Sequence, residues 1–219
     1  VTIKLLNHFG IKKPMVSYYE HNRAQRGGVI IDRLLNGENC ALVSDAGMPI
    51  ISDPGEDLTK LCHENGIQVL AVPGPCAFVT ALAISGMPSG RFTFEGFLSV
   101  TKQSRRQHLE ELVNEKRTMI FYEAPHRLLA TLEAFYENFG DRKIALCREI
   151  TKLNEEVKRT TLAEAVEYYK ENAPRGEYVI VIEGASETTT LEFEGMYTFG
   201  GTTLFRDMRL SGTAKLDAR

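Results

Sequence analysis

Residues 40–55 of the chain read CALVSDAGMPIISDPG, a short apolar run followed by a polar loop with two glycines and two prolines. The run at residues 40–45 predicts a strand that leads into the loop. Behind the loop, Asp53 is a candidate N-cap, Pro54 suits the first position of a helix, and Gly66 suits its C′ position. The stretch therefore predicts a strand, a loop and a helix in succession.

The same order recurs directly downstream. Residues 67–72 form a second apolar run, and Pro-Gly-Pro at residues 73–75 precedes a predicted helix at residues 76–85. A further helix is predicted at residues 27–36. An alternation of strands and helices is typical of parallel strands joined by crossover helices, with ligands bound beyond the carboxyl ends of the strands. These residues therefore predict an α/β fold.

The second half of the chain follows a different rhythm. Residues 86–91, Gly-Met-Pro-Ser-Gly-Arg, are rich in breakers and predict a linker. The elements predicted after it are strands at residues 92–98, 118–122, 143–148 and 177–183 and helices at residues 103–116, 125–139 and 162–172. We therefore predict two α/β domains, residues 1–88 and 91–185, and a flexible tail at residues 186–219.

The composition is that of an ordinary globular chain. It has 219 residues, a formal net charge of −3 and four scattered cysteines with no CxxC pair. Neither a membrane span nor a signal-peptide layout is found, so we expect a cytoplasmic protein without a metal site. Residues 101–159 carry twelve Lys and Arg against ten Asp and Glu, and they are the only net-positive third. An RNA partner is expected to contact that third first.

Two loops stand where a ligand would bind: the first loop, residues 44–55, and the second loop, residues 73–77. Both contain small residues that let the backbone approach a ligand. Asp45 could accept hydrogen bonds from ribose hydroxyls and face a positively charged sulfonium, or it could cap a turn. Both interpretations stay open on the residues alone. Neither GxGxxG after a strand nor GxxxxGK[ST] occurs, which argues against a nicotinamide dehydrogenase or a P-loop NTPase.

Five stretches carry a family resemblance, and they occur in the family's order. They are residues 43–55, 72–77 together with 80–82, 94–98, 121–127 and 148–152, and residues 6–11 (Leu-Asn-His-Phe-Gly-Ile) match as well. The chain resembles the ribosomal RNA small subunit methyltransferase I family of the tetrapyrrole methylase superfamily. Related cobalamin and sirohaem methyltransferases lack the Tyr-Glu-Ala-Pro-His-Arg pattern of residues 122–127. The family's first strand, with its Thr-Pro-Ile-Gly-Asn-Leu-type loop, and its C-terminus have no counterpart in these residues.

The resemblance implies a class III methyltransferase, homodimeric, with S-adenosylmethionine in the cleft between two domains. It implies a ribose 2′-hydroxyl of a cytidine in small-subunit (16S) ribosomal RNA as the acceptor. The cofactor-binding residues that it implies are Ser44, Asp45, Ala46, Gly47, Met48, Ile50, Pro73, Gly74, Cys76, Ala77 and Tyr122.

A sulfonium methyl is already activated, so the protein mainly has to align the acceptor with it. A base that takes the hydroxyl proton would add a factor of about 10²–10⁴. Glu123 is the first candidate for this base and His126 the second, although a carboxylate beside a helix start could equally be structural. The residues expected to contact RNA phosphates are Lys102, Arg105, Arg106, Arg127, Arg148 and Lys152. Each of them could equally belong to a solvated surface.

Two other functions fit the same residues. A tetrapyrrole methyltransferase of this fold would have a wide apolar trough between the domains and little positive potential at its rim. A catalytically silent α/β RNA-binding protein would keep the scaffold and fail to bind S-adenosylmethionine.

Overall fold

The computed structural model describes residues 2–186, 196–199 and 202–205. The helices in this part are α1 (Thr2–His8), α2 (Arg23–Leu35), α3 (Glu56–Glu64), α4 (Ala77–Ser85), α5 (Lys102–Leu112), α6 (Leu128–Phe139) and α7 (Leu162–Glu171). The strands are β1 (Phe92–Phe97), β2 (Thr118–Glu123), β3 (Lys143–Arg148), β4 (Glu156–Thr161), β5 (Tyr178–Ile182), β6 (Met196–Phe199) and β7 (Thr202–Phe205). A 3₁₀ turn, Pro125–Arg127, precedes α6.

Five strands form one mixed sheet in the order β1-β2-β5-β3-β4. Strands β1 and β2 are parallel, and β5 runs antiparallel to both β2 and β3. Strands β1, β2 and β3 therefore point the same way, and their carboxyl ends lie at one edge of the sheet. This edge carries the second-half stretches that the sequence singled out, residues 94–98, 121–127 and 148–152.

The sheet is covered on both faces, which is why β2 is apolar along most of its length. Helix α4 packs on one face, where Ile120 is buried. Helices α5, α6 and α7 pack on the other face, where Phe121 is buried against Phe135 of α6. Because side chains alternate along a strand, Tyr122 points toward α4 and Glu123 toward α6. Burial of each large apolar side chain contributes about 1.5–3 kcal/mol to these two cores.

The first half supplies α4 and a pair of packed helices. Helix α2 lies close against α3, where a Cβ on Gly27 would stand 3.0 Å from Leu61 Cδ1. Helix α3 ends in a left-handed Gly66, with the Ile67 amide donating to the Cys62 carbonyl at 2.9 Å, so the predicted C′ glycine is confirmed. Its N-cap is Gly55 (φ 143°) and not Asp53 as predicted.

Two predicted strands do not form in the described residues. Residues 40–45 and 67–72 carry no ladder hydrogen bonds, and Val43 and Val72 are 58% and 85% exposed. The prediction of strands here is wrong, because an apolar run becomes a strand only where a neighbouring strand pairs with its backbone. No described strand pairs with either stretch.

Strand β4 was missed by the sequence prediction because Glu-Val-Lys-Arg-Thr-Thr is charged, as edge strands often are. The predicted tail at residues 186–219 lies mostly outside the described residues. In the part of it that is described, β6 and β7 pair antiparallel. The domain boundaries stay a prediction, and α4 packs across the linker onto the sheet. Within the described part of the chain, none of the helices combines the length and apolar character that crossing a bilayer demands.

Candidate functional site

The two predicted ligand loops lie in contact. The Met48 amide of the first loop donates to the Pro75 carbonyl of the second at 2.9 Å. Gly47 is left-handed (φ 79°), and a Cβ there would stand 3.2 Å from the same carbonyl. Ser44 Oγ donates to the carbonyls of Ala46 and Gly47 at 3.3 and 3.1 Å, which holds the first loop in a tight turn. The glycine is thus needed both for its backbone angle and for the close approach of the loops.

The first loop also reaches the carboxyl end of β1. Ile50 (φ 77°) and Ser52 (φ 59°) have left-handed backbones, a conformation that costs on the order of 1–3 kcal/mol and clusters at functional sites. A Cβ on Gly96 in β1 would lie 3.7 Å from Ser52 Oγ. The register of β1 shifts between Phe94 and Gly96, so that both Phe94 and Phe97 point to the α4 face. Sequence reasoning missed this aromatic pair, although the glycine inside the strand was a usable signal for a bulge.

Tyr122 joins the start of α4, directly after the second loop, to the sheet. Its hydroxyl accepts the Phe78 amide hydrogen at the start of α4, with 3.1 Å between nitrogen and oxygen. Its ring lies edge-on to Phe94 and Phe97, with centroids 5.0 and 5.6 Å away, and Phe78 stacks on Phe94. Burial raises the pKa of Tyr122, and the Cys76 and Asp53 charges raise it further, while the Phe78 hydrogen bond opposes the rise. The phenol therefore stays protonated, with its own hydrogen available to donate.

None of the residues implied as cofactor-binding is buried, so their role stays a prediction that their exposure allows. Their more exposed members are Asp45, Ala46, Gly47, Pro73, Gly74 and Ala77, and the half-buried ones are Ser44, Met48, Ile50, Cys76 and Tyr122. Two surface grooves, of about 420 and 280 Å³, lie elsewhere, between α6 and α7 and beside the end of α4. Among the described residues, no group of three or more His, Cys, Asp or Glu could hold a metal ion.

Glu123 lies on the opposite face from Tyr122, and its carboxylate is fully engaged. Oε1 accepts the Ala124 amide at 2.9 Å, and Oε2 accepts Thr131 Oγ1 at 2.6 Å. Arg127 Nε stands 3.4 Å from Oε1, and the side chain of Glu123 has no exposed surface. The geometry matches the structural interpretation of a carboxylate beside a helix start. The role of Glu123 as a base stays a prediction, and in this geometry both of its carboxylate oxygens already accept hydrogen bonds. His126, in contrast, is exposed in the turn at the same edge of the sheet.

The six predicted RNA contacts do not form one patch. Arg105 donates to the Ala130 carbonyl and Arg127 to the Leu98 carbonyl, both at 2.6 Å. These two side chains therefore form hydrogen bonds with the backbone of the same chain. Lys102 is exposed at the start of α5, and Arg106 is 80% exposed and pairs with Glu110 at 2.7 Å.

The remaining two basic residues lie at the end of β3. Arg148 pairs with Glu156 across β3 and β4 at 2.9 Å, and Lys152 pairs with Glu149 and Glu177 at 2.9 and 2.8 Å. Strands β2 and β5 separate β1 from β3, so these two strands are about 14 Å apart in the sheet. Of the six, Lys102 and Arg106 are the exposed pair on α5, the helix that follows the carboxyl end of β1.

The chain matches a family model and close relatives over most of its length. The model described as Tetrapyrrole (Corrin/Porphyrin) Methylases matches residues 5–166. A protein of Synechocystis sp. named ribosomal RNA small subunit methyltransferase I is 48% identical over 84% of this chain and 67% of its own length. Relatives of the same name from Halalkalibacterium halodurans and Thermotoga maritima are 50% and 45% identical, over 85% and 84% of this chain and 64% and 82% of their own lengths. The chain thus spans about two thirds of the first two relatives.

Solved structures share the fold at low sequence identity. The methyltransferase CobJ superposes with a TM-score of 0.59 at 18% identity, over 88% of this chain and 79% of its own. Diphthine synthase superposes with a TM-score of 0.62 at 13% identity, over 83% and 73%. A uroporphyrin-III C-methyltransferase of Thermus thermophilus complexed with S-adenyl homocysteine has a TM-score of 0.51 at 13% identity, over 75% and 74%. At these identities the likeness shows the fold alone.

Proposed function

This chain belongs to the tetrapyrrole methylase family, and we propose that it transfers a methyl group from S-adenosylmethionine to small-subunit ribosomal RNA. The proposed acceptor is the ribose 2′-hydroxyl of a cytidine. Relatives at 45–50% identity bear the name ribosomal RNA small subunit methyltransferase I. The observation that carries the proposal is this junction: Met48 of the first loop bonds to Pro75 of the second, and Tyr122 of β2 bonds to Phe78, directly after the second loop.

The residues at this junction fit S-adenosylmethionine. The open space around Gly74 leaves backbone of the second loop accessible to a nucleoside, and the missing Cβ of Gly47 lets the first loop approach the Pro75 carbonyl beside it. When bound, the cofactor supplies a methyl group on a positively charged sulfonium. The Asp45 carboxylate and the ring faces of Phe97 and Tyr122 can each stabilise a nearby positive charge. The uroporphyrin-III C-methyltransferase of Thermus thermophilus, solved in complex with S-adenyl homocysteine, has the same fold.

The acceptor side is formed by the edge of the sheet in the second half. Lys102 and Arg106 present exposed positive charge for phosphate contacts, and phosphate contacts fix the register of a nucleic acid. For the hydroxyl proton, His126 is the better supported of the two candidate bases, because Glu123 has both oxygens engaged. We also propose that the protein acts in the cytoplasm, and as the homodimer that the resemblance implies.

The test is a methyl-transfer assay with cofactor labelled in the methyl group. Small ribosomal subunits, naked small-subunit RNA and a tetrapyrrole precursor serve as three separate acceptors. We expect label in RNA, at a linkage that resists alkaline hydrolysis because its 2′-oxygen is methylated. Label in the tetrapyrrole alone would overturn the RNA assignment, and a folded chain that neither binds S-adenosylmethionine nor transfers label to any acceptor would support the catalytically silent alternative.

A further inference from the structure

Helix α4 is held at both ends by side chains of the sheet. At its start, Tyr122 of β2 accepts the Phe78 amide hydrogen. At its end, Arg159 of β4 donates from Nε to the Ser85 carbonyl at 2.8 Å and from Nη2 to the Ile84 carbonyl. The second contact belongs to the same planar guanidinium, so Arg159 grips the last turn with a two-pronged fork.

The sequence of α4 explains why its end needs an outside partner. Its nine residues, Ala-Phe-Val-Thr-Ala-Leu-Ala-Ile-Ser, are nearly all apolar, and its last turn has no basic residue of its own. The last carbonyls of a helix lack intrahelical partners and carry partial negative charge. The guanidinium that β4 supplies gives these carbonyls hydrogen-bond donors and also balances their partial negative charge. Gly86 follows the helix with φ 79°, and a Cβ there would lie 3.4 Å from Arg159 Nε.

The alternation of β4 directs Arg159 to this helix. Arg159 pairs with Ala145 of β3, whose side chain is buried on the α4 face. The preceding residue, Lys158, points to the other face, where its Nζ lies 3.0 Å from the centroid of the Tyr168 ring. Two adjacent cations on one strand therefore serve opposite sides of the sheet.

The far end of α4 is the second loop. Cys76 is the N-cap of α4 and Ala77 its first residue, and both belong to the residues implied as cofactor-binding. A nine-residue helix is about 13 Å long and behaves as a stiff rod. A shift at the Arg159 end therefore moves the loop at the other end, and through the bond from Met48 to Pro75 it also moves the first loop.

We propose that Arg159 is a positioning residue that sets the place of the cofactor loops by holding the carboxyl end of α4. The inference rests on the proposed function, because the loops must bind S-adenosylmethionine for their placement to matter. Arg159 contacts the end of α4 opposite to the second loop, so its influence falls on cofactor affinity and on KM for the cofactor more than on kcat.

The experiment compares Arg159→Ala and Arg159→Lys with the parent by calorimetric titration of S-adenosylmethionine. Substitutions that act through an intervening element change affinities by about 2- to 30-fold, and we expect Kd for Arg159→Ala to rise within that range. Arg159→Lys should recover part of the loss, because an ammonium keeps the charge but cannot form the fork. The matched control is Lys158→Ala, which removes the neighbouring cation from the opposite face and should leave Kd unchanged.

Gly86→Ala provides a second route to the same contact if Arg159→Ala folds poorly. The new methyl group contacts Arg159 Nε at 3.4 Å and strains the left-handed position that directly follows the carbonyls held by Arg159, so Kd should rise as it does for Arg159→Ala. A folded Arg159→Ala protein with the parent's Kd would overturn the inference while the proposed function stands. A parent chain that does not bind S-adenosylmethionine would instead remove the proposed function, on which the inference rests.

Discussion

Tyr122 and Glu123 are neighbours in the chain, yet they serve opposite faces of the sheet. Tyr122 accepts a hydrogen bond from Phe78, directly after the second loop, whereas Glu123 is buried against Thr131 of α6. The sequence placed both residues at the end of a strand, and the two-residue period of a strand predicts that they diverge. It could not predict which face would carry the loops, because that depends on where α4 packs.

We expect Glu123→Gln to affect stability more than methyl transfer. The amide can replace the carboxylate toward Thr131 but leaves Arg127 without its counter-charge, which should lower the free energy of unfolding by about 1.5–3 kcal/mol. Urea unfolding measures this loss, and single-turnover transfer measures the chemical step. A fall of 10² or more in that step, in a folded variant, would restore Glu123 as the base.

Asp45→Ala should weaken binding of S-adenosylmethionine by about 1.5–3 kcal/mol, the range for losing a hydrogen bond to a charged group. Calorimetry on the folded variant measures the change. Asp32→Ala is the control, because Asp32 is an exposed carboxylate on α2 and takes no part in the loops. Unchanged affinity for Asp45→Ala would leave Asp45 as a turn residue.

At the scale of elements, the sequence predicted most helices and the buried strands well. The prediction was wrong for strands whose formation depends on pairing with a neighbouring strand. Strand β3 and the helices α4 and α7 lie close to their predicted positions. Residues 40–45 and 67–72 have the composition of strands, but composition does not supply a neighbouring strand. Strand β4 has the opposite character, since its charged sequence hides a strand that exists through pairing with β3.

The contact between the two loops can be tested with a pair of glycines. Gly47 and Gly37 both have left-handed backbones (φ 79° and 88°), so an alanine at either position introduces a similar backbone strain. Only at Gly47 does the new methyl group meet another atom, the Pro75 carbonyl at 3.2 Å. Gly47→Ala should therefore weaken S-adenosylmethionine binding, while Gly37→Ala should lose only stability. Equal cofactor affinity in both variants, measured by calorimetry, would show that the loop contact does not shape the site.

At the scale of the whole molecule, the candidate site draws on both halves of the chain. The first half supplies the two loops, and the second half supplies the carboxyl ends of β1 and β2. The order of the motifs along the sequence predicted this division. Their meeting point could not be predicted, because it depends on the packing of α4 on the sheet and on the bulge that turns Phe97 toward Tyr122.

The basic surface gives the sharpest test of the RNA assignment. Arg105 is bound to the Ala130 carbonyl, so a variant that removes it would disturb the fold as well as the surface. The informative variant is therefore the double substitution Lys102→Ala with Arg106→Ala. Loss of two phosphate contacts should weaken RNA binding and lower the slope of log K against log salt by about 1.4–1.8.

Filter binding over a series of salt concentrations measures this slope, with Lys60→Ala and Lys170→Ala combined as a control of equal charge on α3 and α7. Cofactor affinity should stay at the parent's value in both double variants, because neither pair lies in the loops. Equal slopes for the two double variants would mean that Lys102 and Arg106 belong to a solvated helix face. A lower slope for the first variant alone would place the RNA at the edge of the sheet beside β1, within reach of the junction between Tyr122 and the two loops.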